Sequence, residues 1–224
     1  MLAFVDRTIG RWLRHFFFVL VRTYYALFYN VSCANKHLLQ DQPGTLILAT
    51  HVSRHDGPLI SALLYATLRI RPTVHYNEYH NWMQWFPMFV ARAVPMSSPK
   101  SWPDAKRQAR KEHTLDVINR ALAKGDSLLL FPAGKIRRQE HEIVEPYLSG
   151  VHDIIKAEPQ TPLMLLRIDG LGPFQFAKYD LFWSFLGIKK GRRHVSVTIT
   201  AIDALDPSMA LADFNKHLET LLNS

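Results

Sequence analysis

The sequence predicts an α/β fold, a mixed central sheet flanked by helices with an N-terminal amphipathic helical segment ahead of it. Three observations predict it. Short, strongly apolar runs recur along the chain, among them TLILAT at 45–50, SLLLF at 127–131 and PLMLLRID at 162–169, and such runs suit strands covered on both faces. Helix-length segments with start or stop signals lie between them. Hydrophobic residues make up 48% of the 224 residues, which supports one sizeable core rather than a disordered chain.

Residues 6–28, DRTIGRWLRHFFFVLVRTYYALF, hold one Gly and no Pro. At 100° per residue Arg7, Arg11, Arg14 and Arg22 fall on one stripe, and Ile9, Leu13, Phe16, Leu20, Tyr24 and Leu27 fall opposite, with Phe18 breaking the pattern. The intervals free of Arg and Lys are far shorter than the roughly 20 residues of a spanning helix. Four arginines also interrupt any signal-peptide core. The pattern suits a helix lying in a bilayer interface, with arginines on phosphates and rings in the acyl boundary. A helix packed by its apolar side on the domain's own core is the alternative. Residues 1–43 are therefore expected as a membrane-binding segment with a connector from Asn30 to Pro43, and residues 44–224 as the α/β domain.

Gly44 introduces the first strand, Thr45 to Thr50, and Pro58 to Leu68 reads as a buried helix. Thr73 to Tyr76 is a second strand. Residues 81–93, NWMQWFPMFVARA, are apolar and aromatic, with Pro87 kinking or ending any helix there. Val94 to Met96 is a short strand. Pro103 to Lys124 is a helix with Leu115, Ile118 and Leu122 toward the core and Gly125 as its stop. Ser127 to Phe131 is a buried strand, Ser149 to Ala157 a helix, and Pro162 to Asp169 a further buried strand. His194 to Ile202 alternates as a half-exposed strand, and Asp206 to Leu222 is a last amphipathic helix.

The chain is basic, with a net charge of +8, which favours anionic partners: lipid head groups, nucleic acid or an acidic carrier protein. No recognisable nucleic-acid module accompanies the basic residues, so nucleic acid is not expected. A single cysteine, Cys33, rules out an internal disulfide and cysteine zinc clusters, and reads as a packing residue.

Two stretches carry candidate chemistry. In HVSRHDG, at 51–57, His51 precedes Asp56 by five residues where a strand hands over to a helix, the location at which α/β sheets build sites. Composition alone produces such a spacing on the order of once, so placement is the stronger signal. Asp56 as a simple helix cap, with His51 a strand-end residue, is the bland reading. A third reading takes His51, His55 and Asp56 as metal ligands, which Pro58 and the lack of a further ligand cluster disfavour. After the strand 127–131 come Pro132, Ala133, Gly134, Lys135, Ile136, Arg137 and Arg138, a turn suited to seating a phosphate or to standing solvated.

Taken together, HVSRHDG, then LLLFPAGKIRR, then PLMLLRIDG resemble the ordered blocks of the glycerophospholipid acyltransferase family of the lysophosphatidate acyltransferase type. The likeness is greatest to bacterial 2-acylglycerophosphoethanolamine acyltransferase-like members, and it runs from Thr45 to Pro207. The resemblance implies transfer of a fatty acyl chain from acyl-CoA or acyl carrier protein to a lysophospholipid or glycerol-phosphate-like hydroxyl. It implies no cofactor beyond that acyl co-substrate, and a peripheral place on an anionic bilayer, at the cytoplasmic face of a bacterial inner membrane. It makes His51 the general base and Asp56 its orienting partner, with Phe131, Pro132, Gly134, Lys135, Arg137 and Arg138 at the acceptor's phosphate. Ala133 stands where the family commonly has Glu, and the second block is altered to VARAVPM, leaving Arg92 as a displaced candidate for substrate binding. These departures motivate an alternative, a catalytically silent membrane-binding protein of the same fold. Arg167 and Asp169 read as structural. Phe, Met and Trp side chains are expected to line or plug an acyl tunnel, and oligomeric state is not written in the sequence.

Overall fold

The computed structural model describes residues 2–40, 42–96, 101–137, 140–171, 193–203 and 205–224. Helix α1 (Leu2–Phe28) runs directly into strand β1 (Tyr29–Ala34). Then follow β2 (Leu46–Ala49), α2 (Asp56–Leu64), β3 (Ile70–Val74), and the short helices α3 (Tyr76–Tyr79) and α4 (Trp85–Val90). The chain continues through β4 (Val94–Pro95), α5 (Asp104–Ala123), β5 (Ser127–Leu130), α6 (Gly150–Ala157), β6 (Leu163–Asp169), β7 (Arg193–Ala201) and α7 (Leu211–Asn223). The strands form one mixed sheet in the order β1-β7-β6-β2-β5-β3-β4. Neighbours are parallel except β6 and β7, which are antiparallel.

The apolar runs behave as their lack of polar positions requires. Successive side chains of a strand point to opposite faces. Ile47, Leu129, Met164 and Leu166 meet Leu59, Ile60 and Leu64 of α2 on one side. Leu46, Leu48, Leu128, Leu130, Leu163 and Leu165 meet Ile118 and Leu122 of α5, Ile154 of α6, and Phe214 and Leu218 of α7 on the other. Burying both faces of the central strands in this way stabilises the sheet by roughly 1.5–3 kcal/mol per fully buried Leu or Ile.

Several expectations change: the second strand runs over Ile70–Val74 rather than Thr73 to Tyr76, and α2 over Asp56–Leu64 rather than Pro58 to Leu68. The connector expected from Asn30 onward contains β1, an edge strand whose Tyr29, Val31 and Cys33 turn inward while Asn30, Ser32 and Ala34 pair with β7 alongside them. The last helix starts at Leu211 rather than Asp206, because Asp206 Oδ1 accepts from the Ser208 N–H and holds a turn instead. The expected arginine stripe of α1 also includes its packing side. Phe18 and Tyr25 are buried against the domain, and Arg14 donates to the Val90 carbonyl at 3.0 Å. Leu13, Phe16, Leu20 and Leu27 face outward, Phe16 with 61% of its surface exposed. α1 thus packs on α2 through one side and leaves an apolar stripe uncovered on the other. Among the described residues no helix is long and apolar enough to cross a membrane.

Candidate active site

Because β2 and β5 are parallel neighbours in the middle of the sheet, the two turns that leave their C-terminal ends lie side by side. This brings HVSRHDG and FPAGK together although 75 or so residues of chain separate them. The His51 ring stacks on Phe131 with centroids 4.4 Å apart, and the Arg137 N–H donates to the His51 carbonyl at 2.7 Å.

His51 Nδ1 lies 2.9 Å from Asp56 Oδ2. That same oxygen accepts from the N–H groups of Val52 (2.7 Å) and Ser53 (2.8 Å). Asp56 is fully buried and is the first residue of α2, yet its carboxylate reaches back into the turn. A helix cap would accept from the N–H groups that follow it, so the bland reading of Asp56 does not describe this geometry. The tautomer that donates from Nδ1 to Asp56 leaves the lone pair on Nε2, and no other hydrogen bond is made by this ring among the described residues. His51 borders a groove of about 1360 Å³ that also touches Pro58, Phe131 and Gly134. An imidazole so braced can take a proton from a hydroxyl delivered through the groove.

The sequence reading missed Glu142. Its Oε1 accepts the His51 backbone N–H at 2.7 Å, while its own N–H and carbonyl are clamped by the Asn223 side chain of α7. Burial pushes the Glu142 carboxyl up, opposed by the His51 N–H bond and by the nearby Arg137 charge. No motif spacing marks this residue. In EHEIVEPY, at 140–147, it is one of three glutamates, and only the following Ile143 and Val144 hint at burial.

The turn after β5 brings Phe131, Pro132, Gly134 and Lys135 to the border of the groove. Gly134 adopts φ 64°, a left-handed conformation that favours glycine. Lys135 is held by Glu145 at 2.6 Å, and the Arg137 guanidinium donates to the Glu140 carbonyl at 3.1 Å, so neither stands as an open phosphate seat. Arg138 lies outside the described residues. Arg54, a groove-lining residue not singled out from the sequence, makes no ion pair or hydrogen bond among the described residues. Arg92 does not reach the groove: in the left-handed region at φ 55° it closes α4, and its guanidinium meets the buried Asp126 at 2.7 Å beside Arg69 and Arg71. The metal reading fails as well. Among the described residues no three His, Cys, Asp or Glu side chains gather to hold an ion, and His55 Nδ1 turns to the Tyr25 hydroxyl of α1.

An α/β sheet that brings an imidazole and a carboxylate to the wall of a groove can host several chemistries, and the fold alone does not choose among them. The sequence narrows the choice. The acyltransferase family profile matches residues 30–168, and the chain belongs to that acyltransferase family. Its fold is similar to the crystal structure of the 1-acyl-sn-glycerophosphate acyltransferase PlsC from Thermotoga maritima, with a TM-score of 0.58 at 16% identity over 94% of this chain and 78% of that one. No curated protein sequence matches the chain significantly.

Proposed function

We propose that this acyltransferase moves a fatty acyl group from an acyl thioester, acyl-CoA or acyl carrier protein, to the hydroxyl of a lysophospholipid or glycerol-phosphate-like acceptor. His51 takes the hydroxyl proton at Nε2 as the oxygen attacks the thioester carbonyl. Asp56 holds the ring and stabilises the imidazolium that forms. The C–S bond then breaks with its electron pair on sulfur, and the thiolate leaves with little assistance because its conjugate acid has a pKa of about 8.5. The imidazolium gives its proton to that sulfur, so the products are the ester and the free thiol. No nucleophilic serine or cysteine and no cofactor enters this route.

The observation that carries the reading is the 2.9 Å contact between His51 Nδ1 and Asp56 Oδ2 at the wall of the groove. The membrane is the source of the acceptor in this reading, with the outward stripe of α1 forming the membrane-binding part against an anionic surface and the enzyme lying peripherally on the cytoplasmic face of a bacterial inner membrane. The test is acyl transfer by purified protein to lysophospholipids, with either donor. His51→Ala is expected to lower kcat by about 100- to 10,000-fold while the fold and vesicle binding persist. Retained turnover in that variant removes the mechanism. Vesicle binding without turnover in the wild type, with either donor, leaves the silent membrane protein instead.

A further inference from the structure

The segment Trp82–Phe89 exposes an unusual amount of apolar surface. Trp82 is 80% exposed and Phe89 63%, and Met83, Trp85 and Phe86 are exposed beside them. The ten residues 81–90, NWMQWFPMFV, contain no charged side chain. A water-facing loop of a monomeric protein has no reason to present this many large rings together.

Its position gives the surface a meaning. α4 packs on α1 and is tied to it by the Arg14 to Val90 bond. Gln84, Pro87 and Met88 of this segment border the same groove as Phe17, Phe18 and Val21 of α1. The groove is therefore bordered by two packed elements that each carry uncovered apolar side chains, Trp12, Phe16 and Leu20 on α1, and Trp82, Trp85 and Phe89 around α4. Arg11 and Arg22 on α1 are exposed, Arg54 stands on the groove wall, and the chain carries a net charge of +8; Glu78, Asp104 and Asp153 are carboxylates on the same wall.

We propose that Trp82, Trp85 and Phe89 form a second membrane-insertion element which, with α1, seats the groove mouth on an anionic bilayer. This rests on the lipid-acyl-transfer reading and deepens it. Indole and phenyl rings favour the boundary between head groups and acyl chains, and the flanking arginines match anionic phosphates. A protein partner or a second copy covering both apolar elements would also crowd the groove they border, whereas a fluid bilayer covers them and still supplies the acceptor. An acceptor entering laterally then never exposes its chain to water.

The test uses the full chain and vesicles of phosphatidylethanolamine and phosphatidylglycerol, with sedimentation to measure binding and brominated acyl chains to quench tryptophan. Wild type is expected to bind and to be quenched. The triple variant Trp82→Ser, Trp85→Ser, Phe89→Ser is expected to partition at least about tenfold more weakly, with an unchanged unfolding midpoint and unchanged turnover of a monomeric short-chain acceptor. Wild-type-like partitioning of that variant overturns the proposal, as does a lipid-free dimer that the triple variant abolishes without any change in vesicle binding. Absence of acyl transfer from a wild type that binds vesicles through these rings sinks the enzymatic reading while leaving the insertion element standing.

Discussion

The Tyr25 hydroxyl of α1 lies 3.1 Å from Nδ1 of His55 and 3.3 Å from the His55 carbonyl oxygen, within hydrogen-bond distance of both. Tyr25 is buried, and burial pushes its phenol well above its ordinary value, so it remains protonated. His55 adjoins Asp56, the partner of His51. The N-terminal helix is thereby joined by a side chain to the turn that holds the imidazole.

Removing that hydroxyl tests the link. Tyr25→Phe keeps the ring and its packing, and is expected to destabilise the fold by about 1–2 kcal/mol through the lost bonds. Because the change also loosens the turn that carries Asp56, kcat is expected to fall severalfold with little change in KM. Chemical denaturation and steady-state kinetics measure both, and a stability loss with unaltered kcat would make Tyr25 a packing residue only.

Two buried groups set a pH dependence of opposite sign. Burial lowers the His55 imidazole from 6.5, so the unfolded chain takes up the proton first and stability falls as pH drops below 6.5 toward the folded value. Burial raises Glu142 from 4.5, so the folded chain keeps its proton longer, and the associated stability, full below 4.5, is lost as pH rises through the folded value. Each proton contributes at most about 1.4 kcal/mol per pH unit. Glu142→Gln is expected to flatten the fall above pH 4.5, as read from denaturation midpoints across a pH series, while the acid-side fall persists.

The charges along the groove predict where an acceptor's phosphate is read. Lys135 is engaged by Glu145 and Lys111 by Asp153 at 2.8 Å, whereas Arg54 has no such partner among the described residues. Arg54→Ala is expected to raise KM for a phosphate-bearing acceptor about tenfold, which is about 1.4 kcal/mol, with kcat little changed. Lys135→Ala is expected to do less, since removing it also frees Glu145. Initial-rate kinetics on acceptors with and without the phosphate separate these effects.

Arg92 and Asp126 belong to stability rather than to substrate. Asp126 is fully buried among Arg69, Arg71 and Arg92, so Asp126→Asn leaves guanidinium groups without their counter-charge and is expected to destabilise by roughly 3–5 kcal/mol. Arg92→Ala is expected to lower the unfolding midpoint while leaving KM for donor and acceptor unchanged. A KM effect without a stability effect would return Arg92 to the site.

How much was legible follows from how local each signal is. The strands at 46–49, 127–130 and 163–169 were legible because strands buried on both faces need nearly unbroken apolar runs. β1 was harder to see. Tyr29, Val31 and Cys33 do alternate, but the six-residue strand follows a long helix without a break, and its hydrogen-bonding partner lies more than 160 residues further on.

The amino-acid order by itself determined the α/β class and the turn that follows the 127–130 strand, and it put His51 and Asp56 forward as a candidate pair, since these are read from runs of neighbouring residues. Only the tertiary structure decided that His51 Nδ1 meets Asp56, that Arg92 turns to Asp126, that Glu142 supports the His51 backbone, and that Phe17 and Phe18 of α1 border one groove with Gln84, Pro87 and Met88. The physical reason is that strand and helix periodicities are set by near neighbours, whereas a buried charge takes whichever counter-charge or N–H the sheet order brings within 3 Å, and that order is a property of the whole chain.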